Sequence, residues 1–205
     1  MLEQMKDLSI ITNIQAESIK KSLENIGVKD EYISELQKAI NRKDSMNIAL
    51  AVNLKSAVGN INDKDINIKV EKGVVYVDIS DRLLFKSGSW EITGKANEVL
   101  GKVAKVLLAQ PDIEFMVEGH TDNVRFKKGD LSDNWDLSAK RATSIVRVLQ
   151  SKYHIPPSKM TAAGRGEYAP VASNGTTEGK MANRRTRIVI LPRLDQFFKL
   201  LEKPE

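Results

Sequence analysis

At 205 residues the chain is long enough for one well-buried domain with an extension, and short for two full domains. Hydrophobic residues at 41% and charged residues at 29% place it with ordinary globular proteins, which sets aside a disordered polymer or a bundle of membrane spans. A net charge of +5 suits an anionic partner, yet the 32 lysines and arginines are interspersed with 27 acids and form no basic run with interleaved aromatics, so nucleic acid is not an expected ligand.

Cysteine is absent, which excludes disulfides, thiol nucleophiles and cysteine-based zinc sites. His120 and His154 are the two histidines, too few for a histidine-rich metal centre, so neither a metal nor a cofactor is expected. The opening MLEQMKDLSI lacks a basic stretch followed by an apolar run. If the protein is exported, its address lies outside this chain.

From residue 1 to about 54 there is no proline, and apolar residues recur in steps of three and four: Leu8, Ile11, Ile14, then Ile19, Leu23, Ile26, then Ile33, Leu36, Ile40. This spacing predicts amphipathic helix, with Glu17, Lys20, Lys21 and Glu24 on the solvated side as in a coiled coil. Gly27 and Lys29-Asp30 permit either two helices or one interrupted helix, serving as a stalk or packed as a hairpin on the main domain. The division expected is a helical region over 1–58 and a second domain over 59–205.

Beyond Gly59 the period changes. Ile66, Ile68 and Val70 alternate with polar residues, Lys72-Gly73 makes a turn, and Val75, Val77 and Ile79 alternate again, which predicts a β-hairpin. DRLLFKSGSWEI reads as an ordered loop. A helix is expected over 93–109, ending before Pro111, followed by the buried strand IEFMVEG. The next helix starts at DNWD, capped by Asp133 or Asn134 with Asp136 in its first turn, and runs to about Lys152. HIPPSK is a turn, 160–165 a strand, 176–182 a short helix, 186–191 the last strand and 194–201 a terminal helical turn or two. The class is α+β, a mixed sheet with helices packed on one side.

The strand IEFMVEG delivers His120-Thr121-Asp122-Asn123 to its C-terminal end, where open sheets place ligands. On the following helix Leu137, Arg141, Ile145 and Val148 share a stripe, so an arginine stands in an otherwise aliphatic row and requires a carboxylate. Asp122 is the nearest candidate by topology. Two readings remain open on spacing: a plain Asp122–Arg141 salt bridge, or two charges held apart to grip a zwitterion. Glu118, His120 and Asp122 also fall in a row, but neither GxSxG nor a zinc motif accompanies them, so catalysis is not expected. GRGEY lacks the order of a dinucleotide fingerprint.

In order and spacing, VEGHTDN, NWDLSAKRA, TAAGRGEYAP and NRRTRIVI resemble the OmpA-like domain family, which includes OmpA, peptidoglycan-associated lipoprotein and the flagellar stator protein MotB. The resemblance covers about residues 83–191 and implies a β/α/β/α/β fold that binds the peptidoglycan stem peptide at diaminopimelate, whose side-chain end carries both an ammonium and a carboxylate. It implies that Asp122 takes the ammonium and Arg141 the carboxylate. Thr121 and Asn123 would add hydrogen bonds, Leu137 a pocket wall, and Arg185, preferred over Arg184, a rim cation. Phe85, with the turn Lys86 to Ser89, resembles the family's F-x-x-G-S loop at the ligand mouth, whereas Gly164 and Gly166 read as backbone geometry. VRFKKGDLSD, inserted before NWDLS, departs from the shortest family pattern and affects the pocket rim.

The function implied is non-catalytic anchoring of an envelope or outer-membrane protein to peptidoglycan in the periplasm. The alternatives are the wall-anchoring part of a MotB-like stator, or a structural module with a purely structural Asp–Arg pair. The N-terminal helices are left as a surface for self-association or for another partner.

Overall fold

Helix formation at the N-terminus is uninterrupted: α1 spans Leu2–Val58 in the computed structural model, which describes residues 2–59, 65–110 and 113–192. A single interior glycine costs only about 1 kcal/mol, too little for Gly27 to break a long run of good helix formers free of proline. Over residues 2–42 the helix exposes Ile19, Leu23, Ile26, Ile33 and Ile40, Ile19 at 61%. The side chains of Leu8, Ile11 and Ile14, and the turn expected over 194–201, lie outside the described residues.

Lys43–Leu194 forms a compact unit that takes in the end of α1, because Leu50, Leu54 and Val58 are buried in its core. That unit therefore starts inside the helix, upstream of the divide after residue 58 drawn from the change of period. Asn47 donates to the Gly73 carbonyl at 2.9 Å, pinning the helix end to the hairpin turn.

Strand β1, Ile66–Glu71, pairs antiparallel with β2, Val74–Ser80, and the turn between them has Lys72 and Gly73 at φ 51° and 70°. Two consecutive positive φ values match the twist of a tight hairpin. DRLLF then departs from the expected loop: α2 covers Asp81–Leu84, and Phe85 bridges to Ile92. The Thr93 hydroxyl donates to the Leu83 carbonyl at 2.7 Å and its oxygen accepts from the Ala96 amide, so one side chain closes this turn and caps α3, Gly94–Leu108.

Strand β3, Ile113–His120, is followed by α4, Asn134–Tyr153, β4, Met160–Gly164, α5, Thr177–Asn183, and β5, Arg185–Pro192. The sheet order is β1-β2-β5-β3-β4, with β3 and β4 parallel and the other pairs antiparallel. Register puts Val75, Val77, Ile79, Phe115, Val117, Ile188 and Ile190 on one face, where they join Leu100 and Val103 of α3 and Ala142, Ile145 and Leu149 of α4 in the core. The other face carries Asp78, Glu118, His120, Arg185 and Arg187.

Asp133 is the N-cap of α4, accepting from the amides of Trp135 and Asp136 at 2.9 and 3.1 Å. Replacing Asp133 by alanine is expected to cost about 1 kcal/mol, read as a lower urea midpoint at unchanged slope.

Candidate functional site

The strand tips of β2, β3 and β5 meet at one end of the sheet, because β5 runs antiparallel between the other two. This brings Asp81, Asp122 and Arg184-Arg185 together from three remote segments. Asp122 and Arg141 are each 6% exposed, and they do not pair with one another. Arg141 forms its ion pair with Asp81, donates through Nε to the Ser89 carbonyl at 3.0 Å, and lies 5.1 Å from the centre of the Phe85 ring. Asp122 forms its ion pair with Arg184 through one oxygen, while the other accepts from the Val124 amide at 3.0 Å. The partner inferred for Arg141 from chain proximity is thus replaced by one 60 residues upstream, at the start of α2 just past the end of β2.

The two pairs are joined. The Asp81 amide donates to the Arg184 carbonyl at 3.1 Å and the Arg184 guanidinium acts on the Asp81 carboxyl through space, so charges of alternating sign run Arg141, Asp81, Arg184, Asp122 around the strand tips. Burial raises the Asp81 carboxyl to about 6, against the pull of Arg141. Its Oδ1 and the Thr121 hydroxyl are buried without a hydrogen-bond partner among the described residues. Buried polar atoms of this kind are uncommon in folded proteins and mark places where a ligand's groups can be received.

Phe85 and Leu137 are both buried, and they differ in what they join. Phe85 belongs to the main apolar cluster as well as lying against Arg141, whereas Leu137 stands outside that cluster. Asn123 is exposed at the tip beside Asp122. Arg184, the residue passed over in the sequence, reaches Asp122, while Arg185 is buried and donates to the carbonyls of Asn183 and Ala169 at 3.3 and 3.1 Å.

Sequence reasoning missed Asn134 as more than a cap. Its amide nitrogen donates to the carbonyls of Asp122 and Val124 at 3.3 and 3.1 Å, and its oxygen accepts from the Phe126 amide at 3.2 Å. It also hydrogen-bonds Glu167. One buried side chain thus fastens the Asp122 loop to the start of α4, which fixes Asp122 relative to Arg141 farther along that helix. Its burial beside a neighbouring exposed Trp135 was not readable from spacing.

A profile of the OmpA family matches residues 84–184. The protein YfiB of Escherichia coli (strain K12) is 32% identical over 112 residues, covering 55% of this chain and 68% of that protein. The chain belongs to the OmpA family.

Another relative of this OmpA-family chain is motility protein B of Bacillus subtilis (strain 168), 34% identical over 146 residues, which cover 69% of the chain and 56% of that protein. The chain therefore spans little more than half the length of that relative. Among solved structures, the cell wall anchor of the T6SS from Pseudomonas aeruginosa superposes with a TM-score of 0.60 at 27% identity, over 65% of this chain and 92% of that one. The last two are a motility protein and a cell wall anchor, and the role of the OmpA-family domain is non-catalytic.

Glu118 and His120, the residues that resembled an acid–base pair, share a face of β3 with Nε2 and Oε2 3.3 Å apart. His120 and Arg165 hold the Glu118 carboxyl below the usual carboxylate range, and burial pushes the His120 imidazole down. Both are buried, and Arg165 shields Glu118 at 3.0 Å, so the pair braces the OmpA-family sheet end.

Proposed function

We propose that the domain binds peptidoglycan non-covalently at the diaminopimelate of its stem peptide, and so ties an envelope protein to the cell wall. The observation that carries this reading is the alternating charge chain at the strand tips, in which Asp122 and Arg141 each hold an opposite charge but not each other. A zwitterionic side-chain end can exchange into such a chain with no net change of charge. Its ammonium takes the place of the Arg184 guanidinium on Asp122, and its carboxylate takes the place of Asp81 on Arg141. Phe85 and Leu137 supply apolar walls, Thr121 and Asn123 hydrogen bonds, and Arg185 positive potential behind them. The likeness to a named cell wall anchor over most of that structure's length supports the same ligand class.

On this reading the protein works in the periplasm, with α1 as the spacer toward a membrane and its exposed isoleucine and leucine stripe as a surface for self-association. The alternative setting, the wall-anchoring part of a motor stator, draws on the likeness to motility protein B. Both settings use the same site.

Co-sedimentation with purified sacculi tests the proposal. Wild-type protein is expected in the pellet and the Asp122→Asn variant to bind at least about tenfold more weakly, a loss of roughly 1.4 kcal/mol. The variant should keep its fold, because the pair it breaks is with the part-exposed Arg184 and contributes only about 0–1 kcal/mol. A folded Asp122→Asn protein that pellets like wild type would overturn the assignment.

A further inference from the structure

Arg184, which reaches Asp122, also lines a cavity of about 550 Å³ between the β1–β2 end of the sheet and α5. Its walls are apolar at Ile66, Val171, Met181 and Ala182, and Arg184 and Arg185 supply charge. That volume is typical of sites for small molecules, which combine apolar walls with a few fixed polar groups.

Arg185 is the unusual member. It is 5% exposed, its Nε has no hydrogen-bond partner among the described residues, and its other nitrogens reach only backbone carbonyls. The carboxylate opposite, Asp78, lies 3.7 Å from that Nε and is already held through both oxygens by Arg187 at 2.6 and 2.8 Å. Two guanidinium groups therefore crowd one carboxylate, while Glu118 and Asp81 add to the pull on Arg185. Burial, with Arg187 adding to it against the opposing pull of Asp78, brings the Arg185 side chain down to about 10. An anion entering the cavity would give the Arg185 Nε the hydrogen-bond partner it lacks. Among the cavity's own acids, Asp65 is held by Arg82 at 2.6 Å, and Glu178 is exposed at the rim, where solvent screens its repulsion.

We infer that the cavity beside α5 is a second binding subsite, which takes a carboxylate carried on a small aliphatic group. Arg185 and Arg184 receive the carboxylate, and the aliphatic part lies against Ile66, Val171 and Met181. This rests on the wall-binding reading for its biological ligand: the terminal carboxylate of an alanine that follows diaminopimelate in the stem peptide. Arg184 stands between the two subsites, so an ammonium that displaces it from Asp122 releases its guanidinium for the second carboxylate.

The test uses N-acetyl-D-alanine and its methyl ester, followed by amide NMR shifts of the whole chain. The acid is expected to shift Val171, Ala182 and Arg185 saturably, and the ester to leave them in place. Ala182→Trp, which fills the cavity from an exposed position, should weaken the acid at least tenfold; Met181→Trp serves as an independent block should the first variant fold poorly. In parallel, a stem tetrapeptide ending in D-alanine should bind wild type about tenfold more tightly than the tripeptide ending in diaminopimelate, and the blocked variant should bind both alike. No saturable shift, equal binding of the ester, or an undiminished acid response in the folded blocked variants would overturn the subsite. Shifts by the acid in a protein that binds neither peptide would keep the subsite and sink the diaminopimelate reading.

Discussion

Replacing Arg141 by alanine is expected both to abolish wall binding and to lower the stability of the domain by about 3–5 kcal/mol, because it leaves the buried Asp81 carboxylate without its cation. Arg141→Ala is therefore a poor probe of binding by itself. Combining Asp81→Asn with Arg141→Met removes both charges and should recover most of the stability in urea unfolding while binding stays lost. The pH dependence carries a sign. Asp81 titrates at about 6 in the folded domain against 3.8 for an ordinary carboxyl, so the folded state holds the extra proton. The stability this group contributes is complete below the lower value and is lost as pH rises through the higher one. Without Arg141 the carboxyl climbs further, so the deficit of Arg141→Ala relative to wild type should widen as pH rises from below about 6 to above it. A constant deficit across that range would mean that Asp81 is not the group left stranded.

Gly119→Ala is expected to be as damaging for a different reason. A Cβ at Gly119 would sit 2.1 Å from the Ser138 carbonyl oxygen, which is backbone and cannot swing aside. Its register partner Gly164 meets the same helix, with a Cβ 2.8 Å from the Ala139 nitrogen. Two paired glycines thus let α4 lie directly on β3 and β4, which sets how far Arg141 stands from the strand tip bearing Asp122. Forcing the helix away should cost about 3 kcal/mol or more, equivalent to a fall in Tm of roughly 6–12 °C for a domain of this size. Calorimetry on Gly119→Ala and Gly164→Ala checks this, and a wild-type Tm in either would show that the close approach is not required.

Much of the architecture was legible because its signals are local. The hairpin announced itself through alternation around Lys72-Gly73, and α4 through Asp133 and Asp136 at its start. The apolar row that made Arg141 conspicuous identified a buried cation correctly. Its partner was not legible, because proximity along the chain favours Asp122 while proximity in space follows strand order. With β2 beside β5, the tip of β2 delivers Asp81 to the same place, from a segment that read only as loop. The same end effect hid Arg184: adjacent strand residues face opposite ways, so Arg184 and Arg185 could not be told apart until the register of β5 was known. Asn134 was hidden for another reason, since a cap residue and a loop clamp have the same chemistry and differ only in what lies opposite.

The central claim is that Asp122 and Arg141 read the two charges of one side-chain end. Isothermal titration with two stem peptides, alike except that one carries meso-diaminopimelate and the other lysine, tests it most directly, because lysine keeps the ammonium and lacks the side-chain carboxylate. The account predicts that the diaminopimelate peptide binds at least about tenfold more tightly to wild type, and that Asp122→Asn loses binding of both. Equal affinity of wild type for the two peptides would contradict it.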